Sequence, residues 1–177
     1  MTGLGAKLAK VTIPGTIIYL DGDLGAGKTT LVRGFLRSLG YSGAVKSPTF
    51  TVVEPYYLDN DNFLNYNELE GVLKPDGNDR FVTDSKVFLS LKEHHKQSVY
   101  HFDLYRLEDP EELEYIGIRD YLDGQAIALI EWPEKGCGVL PGADLTIKIT
   151  HQDQGRKVEL LPESENGAVI VSKLVSS

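Results

Sequence analysis

A glycine-rich turn lies between an apolar run and an amphipathic run in the stretch YLDGDLGAGKTTLVRGFL. Its residues Gly22, Gly27, Lys28 and Thr29 match the pattern G-x-x-x-x-G-K-[ST], which follows a strand and opens a helix. Backbone amides of such a turn surround a β-phosphate, the lysine reaches the β and γ oxygens, and the threonine offers a hydroxyl to Mg²⁺. The pattern therefore predicts a site for a nucleotide with Mg²⁺, and we call residues 22–29 the phosphate loop.

Two carboxylates are candidates for the rest of such a site, which needs a second anchor for the metal and a residue that orients water. Asp103 in VYHFDLYR and Glu131 in IALIEW each close an apolar run. In open α/β sheets ligands gather at the carboxyl ends of strands, so both side chains are predicted to face the phosphates. Their types leave two roles open for each residue: orienting the water or holding the metal.

The segment VKSPTFTVVEP, residues 45–55, is a third candidate, and we call it the switch segment. Ser47, Thr49 and Thr51 surround a proline that holds the turn extended, so a hydroxyl or a backbone amide could be aimed at the γ-phosphate. Such segments can order with a triphosphate and relax with a diphosphate. The alternative is an ordinary loop that leads into a strand.

The elements that position these residues follow from hydrophobic periodicity. Residues 16–20 (TIIYL) are predicted to form a buried strand, and residues 28–39 a helix that ends at Gly40. TVVEPYY is predicted to be a strand that stops at Pro55, and further strands are expected in SVYHFDLY, AIALIEW, DLTIKIT and RKVELL. This order predicts an α/β fold: a single P-loop NTPase domain over residues 1–177, with a central, mostly parallel sheet flanked by helices.

Composition narrows the functional classes. The chain has 177 residues, of which 41% are hydrophobic, enough for one globular domain with a core. Its formal net charge of -8 argues against general attraction to a nucleic-acid backbone. The single cysteine, Cys137, excludes an internal disulfide, and the apolar runs are too short to span a bilayer. No signal peptide is expected in residues 1–15, so the predicted location is the cytoplasm, without a membrane partner.

Four segments carry a resemblance to a known family. In chain order they are GDLGAGKTTLVRGF, VKSPTFTVVEPY, HFDLYRLEDPEELEYIGIRDYL and IALIEWPEKG. Together they resemble TsaE, formerly YjeE, the bacterial ATPases of tRNA threonylcarbamoyladenosine biosynthesis. The likeness covers most of residues 19–54 and 101–141, and the HFDLYR segment is much more specific than the phosphate loop alone.

The resemblance implies a small P-loop ATPase with ATP and Mg²⁺ as cofactors. Family members associate with the TsaB and TsaD proteins, and their ATP hydrolysis supports repeated transfer of the threonylcarbamoyl group to the adenosine beside the anticodon. Because the chemistry on tRNA belongs to TsaD, tRNA is expected to be only an indirect partner. The acidic net charge agrees with this division.

The resemblance also assigns residues. Thr29 and Glu131 would hold Mg²⁺, and Asp103 would bind the ion or its water. Thr49 would belong to the switch, and Trp132 would lie beside the site. The residues that would wrap the phosphates are Leu24, Gly25, Ala26, Gly27, Lys28, Thr29 and Thr30. Arg156, in QGRKVELL, would lie near the base on a returning C-terminal strand.

Two features depart from the family. Residues 54–100 are longer than the usual connection between the switch segment and HFDLYR, so about residues 58–97 are predicted to form a surface insertion. It is expected to contain a turn at residues 75–79 and a short helix at 84–95. Family members also begin with a strand and a Thr-containing helix, whereas this sequence starts at MTGLGAKLAK, with Thr2 at the matching place.

Two other function classes compete with ATP hydrolysis. A P-loop kinase of small molecules would be favoured by an arginine-rich lid, yet the insertion contains only Arg80. A nucleotide-dependent binding module would be indicated by loss of Glu131 or Thr29, and both are present. The prediction is therefore Mg-ATP hydrolysis by a positioned water. The catalytic residues would be Lys28, Thr49, Asp103 and Glu131.

Overall fold

The computed structural model describes residues 1–59, 74–75, 81–82, 96–153 and 155–176. The chain divides into one unit of residues 1–56 and 98–177 and a second unit of residues 57–97. The first unit contains every site residue predicted above. The turn predicted at residues 75–79 and the helix predicted at 84–95 fall, apart from residue 75, outside the described residues.

The described elements alternate in the manner of an α/β protein. In chain order they are α1 (Thr2–Ala9), β1 (Ile17–Asp21), α2 (Lys28–Ser38), β2 (Val53–Asp59), β3 (Lys74–Pro75), β4 (Phe81–Val82), β5 (Lys96–Asp103), α3 (Glu112–Tyr115), α4 (Ile118–Tyr121), β6 (Ile127–Glu131), a 3₁₀ helix (Pro133–Gly136), β7 (Leu145–Gln152), β8 (Gly155–Pro162) and α5 (Glu165–Val175). No helix among them is long and apolar enough to cross a membrane.

The main sheet has the strand order β2-β5-β6-β1-β7-β8. Strands β5, β6, β1 and β7 are parallel to one another, and β8 is antiparallel to β7. The strands β3 and β4 form a separate antiparallel pair. The predicted α/β fold with a mostly parallel sheet flanked by helices is thus confirmed.

Strand register brings the two candidate carboxylates to the same edge of this sheet. Asp103, the last residue of β5, is paired with Glu131, the last residue of β6. Glu131 is in turn level with Leu20 of β1, the strand that runs directly into the phosphate loop. All five residues of β6 are buried, so its terminal carboxylate is carried on a rigid, fully enclosed strand. The phosphate loop and both carboxylates therefore converge.

The prediction that Pro55 ends its strand is wrong. β2 begins at Val53, continues through Pro55 and ends at Asp59. Because β2 is at the edge of the sheet, the backbone position that lacks an N–H can face away from the neighbouring strand. A proline that would interrupt a central strand is therefore tolerated here.

Close packing of α1 on α2 depends on a glycine in each helix. A Cβ on Gly5 would collide with the carbonyl oxygen of Leu31 and lie 2.7 Å from the amide nitrogen of Phe35. A Cβ on Gly34 would lie 2.7 Å from the Cα of Thr2. Since α2 begins at the phosphate loop, α1 supports the helix that carries the loop.

The variant Gly5→Ala is expected to lower the free energy of unfolding by about 1–3 kcal/mol, because overpacking pushes α1 away from α2. The control Gly3→Ala lies in the same helix, where a Cβ meets no atom within 4 Å. It should be neutral or stabilising by about 0.5–1 kcal/mol through higher helix propensity. Urea unfolding of both variants measures the difference. Equal stability of the two variants would contradict this packing.

Candidate active site

The phosphate loop is shaped by two glycines in backbone conformations that other residues rarely adopt. Gly22 has a φ of 152°, and a Cβ there would collide with the carbonyl oxygen of Ile149. Gly27 has a φ of 110° and is the N-cap of α2. The loop thus ends at the N-terminus of an 11-residue helix, whose free amides and dipole favour an anion.

Lys28 directs its ammonium group toward the loop itself. The Nζ atom donates hydrogen bonds to the carbonyl oxygens of Gly22 and Asp23, the latter at 3.1 Å. It also lies 3.8 Å from the centroid of the Trp132 ring. The residue is only 4% exposed, and burial lowers its pKa, an effect that the carboxylates of Glu131 and Asp103 oppose. The ammonium group thus rests on carbonyl oxygens of the phosphate loop itself.

Glu131 links the end of β6 to the start of α2. Its Oε1 atom accepts a hydrogen bond of 2.9 Å from the hydroxyl of Thr29. The same oxygen lies 2.9 Å from Nε2 of His101, a residue that is completely buried, and Glu131 itself is 3% exposed. Because the Thr29 hydroxyl donates a hydrogen bond to Glu131, the lone pairs of the Thr29 oxygen remain available to a cation.

Asp103 has a different set of partners, which come from the switch segment. Its Oδ2 atom accepts hydrogen bonds from the hydroxyls of Ser47 and Thr49, the latter at 2.9 Å. Its Oδ1 atom accepts the backbone N–H of Tyr105 at 3.1 Å. The two neighbouring carboxylates thus serve different elements: Glu131 contacts the phosphate loop helix, and Asp103 contacts the switch segment.

Two strained residues flank these carboxylates. Trp132, directly after Glu131, has a φ of 60°, and Val52 has a φ of 65°. The carbonyl oxygen of Val52 accepts the backbone N–H of Asp103 at 2.9 Å. A left-handed conformation at a β-branched or bulky residue is a genuine outlier and costs on the order of 1–3 kcal/mol. The strained backbone thus lies beside each carboxylate, at Trp132 after Glu131 and at Val52 against Asp103.

These groups surround a cleft with a volume of about 390 Å³. Its lining residues are Leu24, Gly25, Gly27, Lys28, Thr29, Thr30, Ser47, Thr49, Asp103, Tyr105, Arg106, Glu131 and Trp132. Most of the site residues predicted from the sequence are in this set. The sequence predicts no site role for Tyr105 and Arg106, although they lie two and three residues after Asp103 in the HFDLYR segment.

Two predicted phosphate or base contacts lie elsewhere. Ala26, within the phosphate loop, is buried and does not line the cleft. Arg156, on β8, donates from Nε to the carbonyl oxygen of Ala26 at 3.0 Å. Its Nη2 donates to the carbonyl oxygen of Gly25 at 3.4 Å. The guanidinium thus supports the loop from outside the cleft, and its contact with a base stays a prediction.

The oxygen ligands in the cleft fit Mg²⁺. Among the described residues, no group of three or more His, Cys, Asp or Glu side chains is arranged to hold a metal. Mg²⁺ instead binds commonly through one or two carboxylates together with phosphate oxygens and water. The hydroxyl of Thr29 and the carboxylates of Glu131 and Asp103 are hard oxygen donors of this kind. The cleft suits a metal that is shared with a nucleotide.

Comparisons with known proteins agree on one family. A sequence profile described as "Threonylcarbamoyl adenosine biosynthesis protein TsaE" matches residues 1–66 and 70–158. The tRNA threonylcarbamoyladenosine biosynthesis protein TsaE of Haemophilus influenzae is 40% identical, over 97% of this chain and 89% of the relative. The Bacillus subtilis protein of the same name is 34% identical, over 90% of this chain and 82% of the relative. A crystal structure of Bacillus subtilis YdiB matches with a TM-score of 0.66 at 25% identity, covering 99% of this chain and 86% of that chain.

Proposed function

The chain belongs to the TsaE family of threonylcarbamoyl adenosine biosynthesis proteins, and from this premise we propose that it is a Mg-dependent ATP hydrolase. We further propose that its hydrolysis supports N6-threonylcarbamoyl modification of tRNA by acting on the TsaB–TsaD complex. The observation that carries the proposal is the meeting of the phosphate loop with two buried carboxylates in one cleft. The names of the relatives support the biosynthetic role.

Binding of ATP is assigned to residues 24–30 and the N-terminus of α2. Lys28 exchanges the carbonyl oxygens of Gly22 and Asp23 for the β and γ oxygens of the nucleotide. Thr29 and Glu131 would hold Mg²⁺, which when bound neutralises charge on the phosphates. The direct hydrogen bond between these two side chains supports this pairing, because it holds the two oxygen atoms 2.9 Å apart, where both can face one ion.

Positioning of the attacking water is assigned to Asp103. Its carboxylate lines the cleft and is held by the hydroxyls of Ser47 and Thr49 and by the N–H of Tyr105. The water attacks the γ-phosphorus as the bond to the bridging oxygen breaks, which yields ADP and inorganic phosphate. Because the switch segment holds Asp103 directly, any shift of this segment also moves the residue that orients the water.

The proposal is tested by measuring phosphate release with Mg²⁺ and ATP, first for the chain alone and then with TsaB and TsaD. When no other phosphate acceptor is added, hydrolysis should release inorganic phosphate and ADP in equal amounts. Phosphate found on an added small molecule, with no inorganic phosphate released, would instead support the kinase alternative. An unchanged rate over a titration with TsaB and TsaD would argue against the proposed partner.

The variant Thr49→Val should hydrolyse ATP about 10- to 100-fold more slowly, because a hydrogen bond to a charged group contributes about 1.5–3 kcal/mol. Its affinity for ATP should stay near the wild-type value, since Thr49 holds Asp103 rather than the phosphate loop. The control is Thr51→Val, an exposed position in the same switch segment. Single-turnover phosphate release separates the two variants. A Thr49→Val rate equal to that of the control would contradict this role.

A further inference from the structure

His101 is a buried polar residue to which the proposed hydrolysis assigns no role. It lies on β5 two residues before Asp103, and its side chain is completely enclosed. Nε2 lies 2.9 Å from Oε1 of Glu131, whereas Nδ1 has no hydrogen-bond partner among the described residues. A buried histidine with one ring nitrogen in a hydrogen bond and the other without a partner requires a physical explanation.

The position of the ring proton follows from these two contacts. An ionised carboxylate only accepts hydrogen bonds, so the contact with Glu131 requires a proton on Nε2. Nδ1 is then a bare acceptor. The other tautomer would set a lone pair of Nε2 against the carboxylate and would also bury an N–H without an acceptor. The surroundings of His101 therefore select the ring with its hydrogen on Nε2, directed at Glu131.

Glu131 needs such a donor because of its length. A glutamate has one more rotatable bond than an aspartate, so its carboxylate can occupy several positions around the end of a strand. Here Oε1 is fixed between two donors, the Thr29 hydroxyl from α2 and the His101 ring from β5. Residues that orient a metal-binding side chain in this way set its affinity and geometry.

We propose that His101 is a positioning residue that fixes the Glu131 carboxylate for the shared metal and nucleotide, through a hydrogen bond from Nε2 to Oε1. This inference rests on the proposed function, since it assigns Glu131 to the metal. It also explains why a histidine stands in an otherwise apolar part of β5, where every neighbouring position from Val99 to Leu104 other than Asp103 is apolar or aromatic.

Two substitutions of His101 test the proposal. His101→Leu removes the donor and keeps an apolar side chain of moderate size, and His101→Gln keeps an amide N–H that can reach Glu131. Binding of a non-hydrolysable ATP analogue is measured by calorimetry as Mg²⁺ is varied. We expect His101→Leu to require about 10- to 100-fold more Mg²⁺ than the wild type. His101→Gln should recover most of this loss, and binding without Mg²⁺ should be the same in all three proteins.

Three results would overturn the role of His101 while the proposed function stands. They are a wild-type Mg²⁺ requirement in His101→Leu, no recovery in His101→Gln although both variants are folded, or an Nε2 without a proton in ¹⁵N NMR of the wild-type ring. The NMR measurement decides the matter even if His101→Leu fails to fold. A wild-type protein that hydrolyses no ATP and binds the analogue without regard to Mg²⁺ would overturn the proposed function, and this inference with it. A Mg²⁺-dependent wild type with unaffected variants would overturn the role of His101 alone.

Discussion

The Lys28→Ala variant is expected to lose about 100- to 1,000-fold in ATP hydrolysis, the usual effect of removing one group that stabilises developing charge. The lining of the cleft carries two cationic side chains, Lys28 and Arg106, against two carboxylates, Asp103 and Glu131. Without Lys28 the polyphosphate would face both carboxylates with only one side-chain cation nearby. The free energy of unfolding should change little, because the variant loses the hydrogen bonds of Nζ to Gly22 and Asp23 but also removes the buried amine whose pKa burial lowers.

Phosphate release and urea unfolding of the same preparation check both parts of this expectation. The control is Arg37→Ala, which removes a cation from the exposed face of the same helix and outside the cleft. Its rate should equal that of the wild type. A Lys28→Ala protein with more than about a tenth of the wild-type rate would count against the phosphate loop as the reaction site.

Substitution of Glu131 is expected to have the second large effect. The size of the replacement side chain should decide how much stability is lost. Glu131→Ala should reduce hydrolysis at least about 100-fold and lower the free energy of unfolding by about 1–3 kcal/mol. The stability loss follows because the Thr29 hydroxyl and the His101 ring lose a common buried acceptor. Glu131→Gln keeps an acceptor oxygen at similar reach, so it should be as inactive as Glu131→Ala but nearer to the wild type in stability.

The control for both variants is Glu134→Gln, which neutralises an exposed carboxylate on the adjacent 3₁₀ helix. Hydrolysis rates, Mg²⁺ requirement and unfolding are compared across the three proteins. If Glu131→Gln hydrolysed ATP nearly as fast as the wild type, the metal anchor would have to be Asp103. The roles that we assign to the two carboxylates would then be exchanged.

Local features of the fold were predictable from the sequence because short-range geometry determines them. The helix expected at residues 28–39 is α2, Lys28–Ser38, and the strand expected at residues 16–20 is β1, Ile17–Asp21. The prediction that the strand stops at Pro55 was wrong because a strand tolerates proline at the edge of a sheet. The edge position of β2 is a property of the whole sheet. The helix α5 was missed, although Ser164 as N-cap and the buried pair Ile170 and Leu174, four residues apart, were visible signals.

The convergence of Asp103 and Glu131 was predictable, because parallel strands that end in register bring their last residues together. Their individual partners were not, since these depend on side-chain packing between distant segments. His101 had one usable signal: residues two apart on a strand share a face, so it had to lie on the same side of β5 as Asp103. That signal placed it near the site but could not indicate which carboxylate it would contact.

The position of Trp132 has a practical consequence for spectroscopy. It is the chain's only tryptophan, and its ring lies 3.8 Å from the ammonium group of Lys28. Indole fluorescence responds to nearby charge, so the indole emission, excited apart from the nine tyrosines, reports on the surroundings of one ring. When a phosphate draws Lys28 away from the ring, the intensity or wavelength of that emission should change. With the proposed nucleotide as ligand, this emission would report binding without a dye, label or coupled enzyme.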